Sequence, residues 1–399
     1  MRANQSRLRA PREFRTGTAE PEKLPSQRVI LYAQEFEAYR QELLEAGAWV
    51  IEEYPFINAV CIGIPPMGMG KIAHMNGVCH LTPDEPASTQ MHIASRTIHA
   101  DQLHSQGITG KGIRVAVVDT GIYPHSDFVK PANRIFRFVD LVKGNHKKPY
   151  DDNGHGTFTA GVLAGNGWLS GGKYIGIAPE ASIIALKAMN AEGVGNTSDV
   201  LRAMQWVADH HRRLDIRVVS LSLGIERSYN VAEDVLVMGV EKLWAMGMVV
   251  VVASGNAGPS PGSITIPGIS HRIITVGASD DKRTIDIADD SIADFSSRGP
   301  VEHGYRKPDL VAPGVDVISV QSDTLHPLRQ SSNSAAPVME GYTHMSGTSV
   351  ATPIVAGAAA LLLQQHPYWK PDQVKNALKE KAIPLIGDPN TEGNGLVQL

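Results

Sequence analysis

The sequence predicts an α/β protein with a doubly wound, mostly parallel sheet, preceded by a small α+β unit. Beyond residue 94, short and almost continuous apolar runs recur, and such runs are typical of strands buried on both faces of a parallel sheet. Helical stretches separate several of these runs, as expected of repeated βαβ units. The region before residue 82 instead alternates strands and helices over a much shorter length.

Residues 1–26 contain five arginines and three prolines with almost no apolar periodicity, and they are predicted to be a flexible extension. Residues 27–87 have the pattern strand, helix, strand, strand, helix, strand, which is the order of a ferredoxin-like unit. The proline-broken segment 82–90 is predicted to be a linker. The predicted strands are Arg28–Ala33, Trp49–Ile51, Ile57–Ile62 and Val78–Leu81, and the predicted helices are 34–46 and 67–75.

Residues 88–399 form the predicted large domain, with a serine-rich surface insertion at 321–344. A last small-residue helix is predicted to begin at Thr352-Pro353, because proline loses no hydrogen bond where the first N–H groups have no partner. This places Ser349 just ahead of a helix N-terminus. The predicted strands are Ile113–Val118, Ser182–Leu186, Val218–Leu221, Val249–Ala253 and Ile273–Val276, and the predicted helices include Thr197–Arg212 and Val231–Met246.

Composition limits the classes of partner. The chain of 399 residues has a formal net charge of −4, which gives no reason to expect binding to nucleic acid or to an anionic membrane. No uninterrupted apolar stretch approaches the roughly 18 residues of a membrane helix. The two cysteines, Cys61 and Cys79, do not make a disulfide framework, and no apolar leader follows the basic start. We therefore expect a cytoplasmic protein, or a secreted one if a leader has been removed.

Four polar residues stand where predicted strands end or helices begin. Asp119 ends the first buried strand, His155 lies between two glycines before a small-residue helix, Asn256 follows another strand, and Ser349 precedes the last helix. Each one alone is explained as a cap or a turn residue. Together they are the parts of an acyl-transfer site: a hydroxyl nucleophile, an imidazole base, a carboxylate that orients it, and a donor for the oxyanion.

These blocks resemble the signatures of the subtilisin-like serine proteases, in the family's order. The resemblance covers residues 94–399 and implies that Ser349 is the nucleophile and that His155 is the general base and later the general acid. Asp119 would orient the imidazole, and Asn256 would form the oxyanion hole with the backbone N–H of Ser349. The matching blocks are Asp119-Thr-Gly121, Asn153-Gly-His-Gly-Thr157, Ser254-Gly-Asn256 and Gly347-Thr-Ser-Val-Ala-Thr-Pro353.

The resemblance also assigns substrate-binding residues. Two backbone edges would accept the substrate as an added strand, and they are formed by Gly193, Val194 and Gly195 and by Ser222, Leu223 and Gly224. The pocket for the residue before the cut bond would be lined by Ala253, Ser254 and Gly255. Because these residues are small, we expect a roomy pocket with a broad, apolar preference.

Two departures from the family pattern concern packing and metal binding. Phe158 stands where the family usually has a second histidine, so we expect changed packing near the base. The loop 164–172 does not match the family's calcium loop, although Asp127 remains a candidate ligand. Six aspartates within residues 280–294 are candidate oxygen ligands, although a solvated acidic loop is the favoured interpretation. No cofactor is expected for the chemistry, and structural calcium stays open.

The N-terminal unit resembles the family's inhibitory prodomain and folding aid. This implies a self-processing zymogen that is cut within residues 85–91, with its own prodomain as intramolecular inhibitor and with proteins or peptides as substrates. The missing leader and the scarcity of cysteine make the chain similar to the intracellular bacterial branch of the family.

Two other functions fit parts of the pattern. The first is a catalytically silent subtilase-fold binding module that is held by its prodomain. The second is a dinucleotide-binding oxidoreductase, which needs G-x-G-x-x-G directly after the first strand. The chain has Asp119-Thr-Gly-Ile-Tyr-Pro124 at that point, which argues against the second alternative.

Overall fold

The chain divides into two compact units, Met1–Ala87 and Ser88–Leu399. The predicted extension 1–26 and most of the predicted linker lie outside the described residues. The computed structural model describes residues 27–33, 36–54, 59–72, 78–83, 90–142, 147–225, 234–301, 304–326 and 341–399.

The small unit has the predicted element order and a four-stranded antiparallel sheet in the order β2-β3-β1-β4. Alternate residues of β1 and β3, including Leu31 and Ile62, join Leu43 and Ile72 of the helices in one buried core. The last strand is longer than predicted, since Thr82 and Pro83 pair with β1 rather than beginning a linker. The elements are β1 (Gln27–Ala33), α1 (Phe36–Glu45), β2 (Trp49–Tyr54), β3 (Ala59–Ile64), α2 (Pro66–Ile72) and β4 (Val78–Pro83).

The large unit follows the predicted alternation of strands and helices. Its first half contains α3 (Gln90–Thr97), α4 (Ala100–Ser105), β5 (Arg114–Asp119), α5 (Ser126–Val129), β6 (Ile135–Asp140), α6 (His155–Ala164), β7 (Ser182–Lys187), α7 (Thr197–Leu214) and β8 (Ile216–Leu221). Its second half contains α8 (Val235–Ala245), β9 (Val249–Ala253), β10 (Ile274–Asp280), β11 (Ser291–Ile292), β12 (Leu310–Pro313), β13 (Val317–Val320), β14 (Tyr342–Met345), α9 (Thr348–Gln365) and α10 (Pro371–Lys381).

The central sheet has the order β11-β10-β9-β8-β5-β7-β6, and β12 also pairs with β10. All of its pairings are parallel except that of the short strand β11. The prediction of a doubly wound, mostly parallel sheet is therefore confirmed. The chain places β6 and β7 on one side of β5 and then β8, β9 and β10 on the other. Ligands of such sheets bind at the carboxyl ends of the strands near this reversal.

Helix α9 lies in the core and packs against β8, β9, β10 and α6. By length and composition it is the one helix of the described residues that could cross a membrane, but 83% of it is buried inside the protein. The predicted start at Thr352-Pro353 is wrong, because the helix begins at Thr348 and contains Pro353. The earlier start is held from outside the helix by the side chain of Asn256, which binds the N–H of Thr348 at 2.9 Å.

The predicted surface insertion 321–344 is too long at its C-terminal end. Residues 342–345 form β14, which pairs antiparallel with β13. Tyr342 at its start packs on the ring of Tyr174 and donates a 2.9 Å hydrogen bond to Asp127. The middle of the predicted insertion, residues 327–340, lies outside the described residues.

Candidate active site

A buried carboxylate lies at the carboxyl end of β5. Asp119 is only 1% exposed, and its Oδ1 atom lies 2.7 Å from Nδ1 of His155. The same oxygen accepts a 2.7 Å hydrogen bond from the N–H of Thr120, and Oδ2 accepts one of 3.1 Å from the hydroxyl of Thr159. These contacts fix the carboxylate in one orientation, with one oxygen against the imidazole.

Two glycines allow His155 to reach this carboxylate. Gly154 precedes α6 with a φ of 109°, a conformation that residues with a Cβ rarely adopt. A Cβ on Gly156 would lie 2.3 Å from the carbonyl oxygen of Gly121 and 3.1 Å from Cβ of Asp119. The first turn of α6 therefore approaches the end of β5 only because residue 156 has no side chain.

The imidazole of His155 lies in a negatively charged environment. Burial acts to lower the pKa of His155, because it disfavours the charged ring. The charge and hydrogen bond of Asp119 and the charge of Asp151 outweigh burial, and the pKa is raised above its normal 6.5. With Nδ1–H donated to Asp119, Nε2 is left as the proton acceptor of the neutral ring.

Ser349 and Asn256 border one small space at the start of α9. Oδ1 of Asn256 accepts 2.9 Å hydrogen bonds from both the N–H and the hydroxyl of Thr348, which fixes the orientation of the amide and directs its NH₂ group elsewhere. A Cβ on Gly347 would lie 3.0 Å from Oγ of Ser349 and 3.6 Å from Nδ2 of Asn256. The absence of a side chain at residue 347 therefore leaves room between a hydroxyl and an amide donor.

The starts of α6 and α9 lie at the same edge of the sheet. His155 contacts the end of β5 through Asp119, and the N–H of Gly347 donates to the carbonyl of Gly314 directly after β12. The two helices also pack against each other. The four predicted catalytic residues therefore all occur at the carboxyl ends of parallel strands, where doubly wound sheets form their active sites.

A cleft of about 200 Å³ adjoins Ser349. Its lining consists of seven residues that the sequence analysis singled out and three others. The predicted residues that line it are Ser222, Leu223, Gly224, Ala253, Gly255, Asn256 and Ser349, and the others are Ala257, Thr265 and Thr348.

Thr265 also lines this cleft, and the sequence analysis did not single it out. A Cβ on Gly224 would lie 2.2 Å from its Oγ1 atom, and one on Gly255 would lie 2.5 Å from its Cγ2 atom. Its hydroxyl donates a 3.2 Å hydrogen bond to the carbonyl of Ser254. Thr265 therefore fills part of the room that the two glycines leave beside the cleft.

Four predicted substrate-binding residues do not line this cleft. Ser254 is fully buried behind it. Residues 193–195 lie in a turn in which Asn190 binds both backbone groups of Val194, whose side chain is 63% exposed. Gly193 approaches the amide of Asn153, two residues before His155, since a Cβ on it would lie 3.3 Å from Nδ2 of Asn153.

Phe158 and Asp127, the two residues discussed as departures from the family pattern, both lie in the interior of the large unit. Phe158 is fully buried in the main core. Asp127 is also fully buried, and its two oxygens accept hydrogen bonds from the N–H of Leu169 at 3.0 Å and from the hydroxyl of Tyr342 at 2.9 Å. Each oxygen of this candidate calcium ligand therefore accepts one protein donor in the structure, and its role in metal binding stays a prediction.

The acidic stretch 280–294 contains carboxylates that repel one another. Burial and the charges of Asp281, Asp289 and other neighbours raise the pKa of Asp290 to about 7. Within the part of the chain that the structure describes, no group of three or more His, Cys, Asp or Glu side chains is arranged to hold a metal ion.

Comparison with known proteins gives the family. The model of the Subtilase family matches residues 110–397. The chain is 46% identical over 315 residues to the serine protease AprX of Bacillus subtilis, covering 76% of this chain and 69% of that protein. It is 35% identical over 300 residues to subtilisin Savinase of Lederbergia lenta, covering 75% and 94%. The solved structure of the S41 psychrophilic protease superposes with a TM-score of 0.61 at 29% identity, covering 73% of this chain and 92% of that one. This chain therefore belongs to the subtilase family of serine proteases.

Proposed function

We propose that this chain is a serine endopeptidase that hydrolyses protein substrates through an acyl-enzyme on Ser349. The observation that carries the proposal is the 2.7 Å contact between His155 and the buried Asp119, at the same sheet edge as Ser349 and the oriented amide of Asn256. A capping role alone explains neither the imidazole–carboxylate pair nor the space beside Gly347.

In the proposed mechanism, Oγ of Ser349 attacks the carbonyl carbon of the peptide bond while Nε2 of His155 takes its proton. Asp119 holds the ring and stabilises the imidazolium. The oxyanion accepts hydrogen bonds from Nδ2 of Asn256 and the N–H of Ser349. His155 then gives the proton to the leaving amine, the acyl-enzyme forms, and a water attacks it while His155 again accepts a proton. His155 finally gives this proton to Oγ of Ser349, which leaves as the restored hydroxyl and frees the carboxyl product.

We propose that the substrate binds in extended form beside residues 222–224, which directly follow β8, and beside residues 193–195. Addition of a strand to an exposed edge supplies main-chain hydrogen bonds without regard to side chain. The cleft beside Ser349 then takes the residue before the cut bond. Its 200 Å³ volume and Thr265 favour small or medium apolar residues there.

Labelling with a fluorophosphonate probe tests the proposal, because only an activated serine reacts. The wild type is expected to label and to hydrolyse casein, and both activities should disappear in Ser349→Ala and in His155→Ala. The proposal is wrong if Ser349→Ala retains hydrolysis. If the folded wild type neither labels nor hydrolyses even after its N-terminal unit has been cleaved off, the silent binding module is the better assignment.

We propose further that the ferredoxin-like unit is an inhibitory prodomain that the protease removes by cutting within residues 85–91. Its separate core and its complete βαββαβ order support an independent folding role. Both cysteines lie in this unit, so the mature enzyme would contain none. Mass spectrometry of purified Ser349→Ala tests self-processing, since this variant should keep its full length. A cytoplasmic location stays a prediction.

A further inference from the structure

A second buried carboxylate, Asp151, lies behind the proposed catalytic pair. It is fully buried. Its Oδ1 atom accepts hydrogen bonds from the hydroxyl of Thr120 at 2.9 Å and from the N–H groups of Asn153 and Gly154 at 3.1 and 2.8 Å. Its Oδ2 atom accepts from the N–H and the hydroxyl of Thr157 at 2.8 and 2.6 Å. All five partners are donors, as an ionised carboxylate requires.

These contacts join the two segments that carry the catalytic pair. Thr120 directly follows Asp119 at the end of β5, whereas Thr157 lies in the first turn of α6, which begins at His155. The hydroxyl of Thr120 also accepts a 2.8 Å hydrogen bond from the N–H of Gly156. One carboxylate and one hydroxyl therefore hold the end of the strand against the start of the helix.

We propose that Asp151 is a positioning residue for the proposed protease site. It sets the start of α6 against the end of β5, so that the imidazole of His155 meets Asp119 at hydrogen-bonding distance. It also adds a second negative charge near the ring, which favours the imidazolium that forms during catalysis. The inference rests on the proposed function.

The two ionisable side chains next to Asp151 in the sequence, Tyr150 and Asp152, have partners of their own. Lys187 is fully buried and its Nζ atom binds Asp152 at 2.6 Å and the carbonyl of Thr120 at 2.5 Å. Burial and nearby carboxylates raise the pKa of Tyr150 far above its normal value, so its hydroxyl stays neutral. Burial acts to lower the pKa of His155, and the charge and hydrogen bond of Asp119 and the charge of Asp151 raise it.

Asp151→Asn tests the inference, because the amide cannot accept from all five donors and carries no charge. We expect kcat per active site, counted with the fluorophosphonate probe, to fall about 10- to 100-fold, since small misplacements of a catalytic group have effects of this size. KM for a short peptide should change less than about twofold, because the cleft is untouched. The acid limb of the pH–kcat/KM profile should move to lower pH, since a negative charge that favours the imidazolium is lost.

Asp234→Asn is the matched control. Asp234 is also a buried carboxylate at a helix start, where it accepts from the N–H groups of Leu236 and Val237 of α8. This variant should unfold at lower temperature with an unchanged kcat per labelled site and an unchanged acid limb. The inference is overturned if Asp151→Asn keeps the wild-type kcat and acid limb, or if Asp234→Asn shows the same changes.

A second variant covers the case in which Asp151→Asn does not fold. Thr120→Val removes the hydroxyl that joins Asp151 to Gly156 but keeps the charge of Asp151. We expect kcat per labelled site to fall several-fold with an unchanged acid limb, and an unchanged kcat overturns the inference. A wild type that neither labels nor hydrolyses after its N-terminal unit has been cleaved off refutes the proposed function itself, and with it this inference.

Discussion

Thr265 lines the cleft beside Ser349, so Thr265→Gly should change which residue is accepted before the cut bond. The threonine side chain occupies the space beside two glycines: a Cβ on Gly224 would collide with its Oγ1 atom at 2.2 Å, and one on Gly255 with its Cγ2 atom at 2.5 Å. Removing the three heavy atoms of this side chain from the wall of a cleft of about 200 Å³ enlarges the cleft, which favours a larger side chain.

The magnitude follows from the energetics of apolar pockets, in which one methylene changes kcat/KM by roughly 10- to 200-fold. We therefore expect the ratio of kcat/KM for phenylalanine over alanine before the cut bond to rise about 10- to 100-fold in Thr265→Gly. The measurement uses matched chromogenic peptides that differ only in that residue. Stability should fall by about 1–2 kcal/mol, from the lost buried methyl group and the added backbone freedom.

Two variants separate the space that the Thr265 side chain fills from the hydrogen bond that it makes. Thr265→Val keeps the shape of the side chain but loses the hydrogen bond to Ser254, so its substrate ratio should stay near that of the wild type. Thr265→Ser removes only Cγ2 and should lie between wild type and glycine. An unchanged ratio in a folded Thr265→Gly enzyme would show that Thr265 does not limit the pocket.

Three further predictions concern the oxyanion hole, the base and the core. Asn256→Ala should lower kcat by roughly 10²–10³, the cost measured for the same kind of donor in subtilisin. Asn256→Asp should lower kcat by a similar factor. Because it keeps the oxygen that accepts from Thr348, it should unfold at a higher temperature than Asn256→Ala. Because the pKa of His155 is raised, kcat/KM should fall as pH falls through a midpoint above 6.5, since the protonated ring cannot take the proton of Ser349. A midpoint well below 6.5 in a pH–rate profile would contradict the effect assigned to the charges of Asp119 and Asp151. Asp309 lies buried between Lys307 and Lys375 at 2.5 and 2.8 Å, so Asp309→Asn should cost about 3–5 kcal/mol in urea unfolding. Asp316→Asn, which breaks a partly exposed pair with Arg283, should cost no more than about 1 kcal/mol, and equal losses would refute the argument from burial.

Local sequence signals were sufficient where a residue's environment is set by its own segment. The apolar runs gave the strands of the parallel sheet, because a strand covered on both faces needs apolar residues at nearly every position. His155 stands between two glycines in the sequence, and the second of them, Gly156, lies against Gly121 and Asp119. The element order of the small unit was likewise visible from periodicity and turn residues.

Local sequence signals failed where a contact with a distant segment determines the structure. The proline at residue 353 resembles a helix start, but the actual start is held by Asn256 in another segment, 92 positions from Thr348. Thr265 stands between two isoleucines and has no motif of its own, so only the folded chain shows it beside Gly224 and Gly255. The same limit applied to β14, whose pairing with β13 crosses a polar insertion.

The capping explanation and the catalytic explanation of the site residues are complementary. Oδ1 of Asn256 does cap the start of α9, and this bond is what leaves its NH₂ group as a donor beside Ser349. Asp119 does bind the N–H after its strand, and the same oxygen meets the imidazole of His155. Asp151 accepts from N–H groups before and within the first turn of α6, and thereby sets the position of His155 at the start of this helix. Because each polar group serves the backbone and the reactive side chain at once, the precision of the site comes from the contacts that terminate its strands and helices, and a substitution at any of them should affect stability and turnover together.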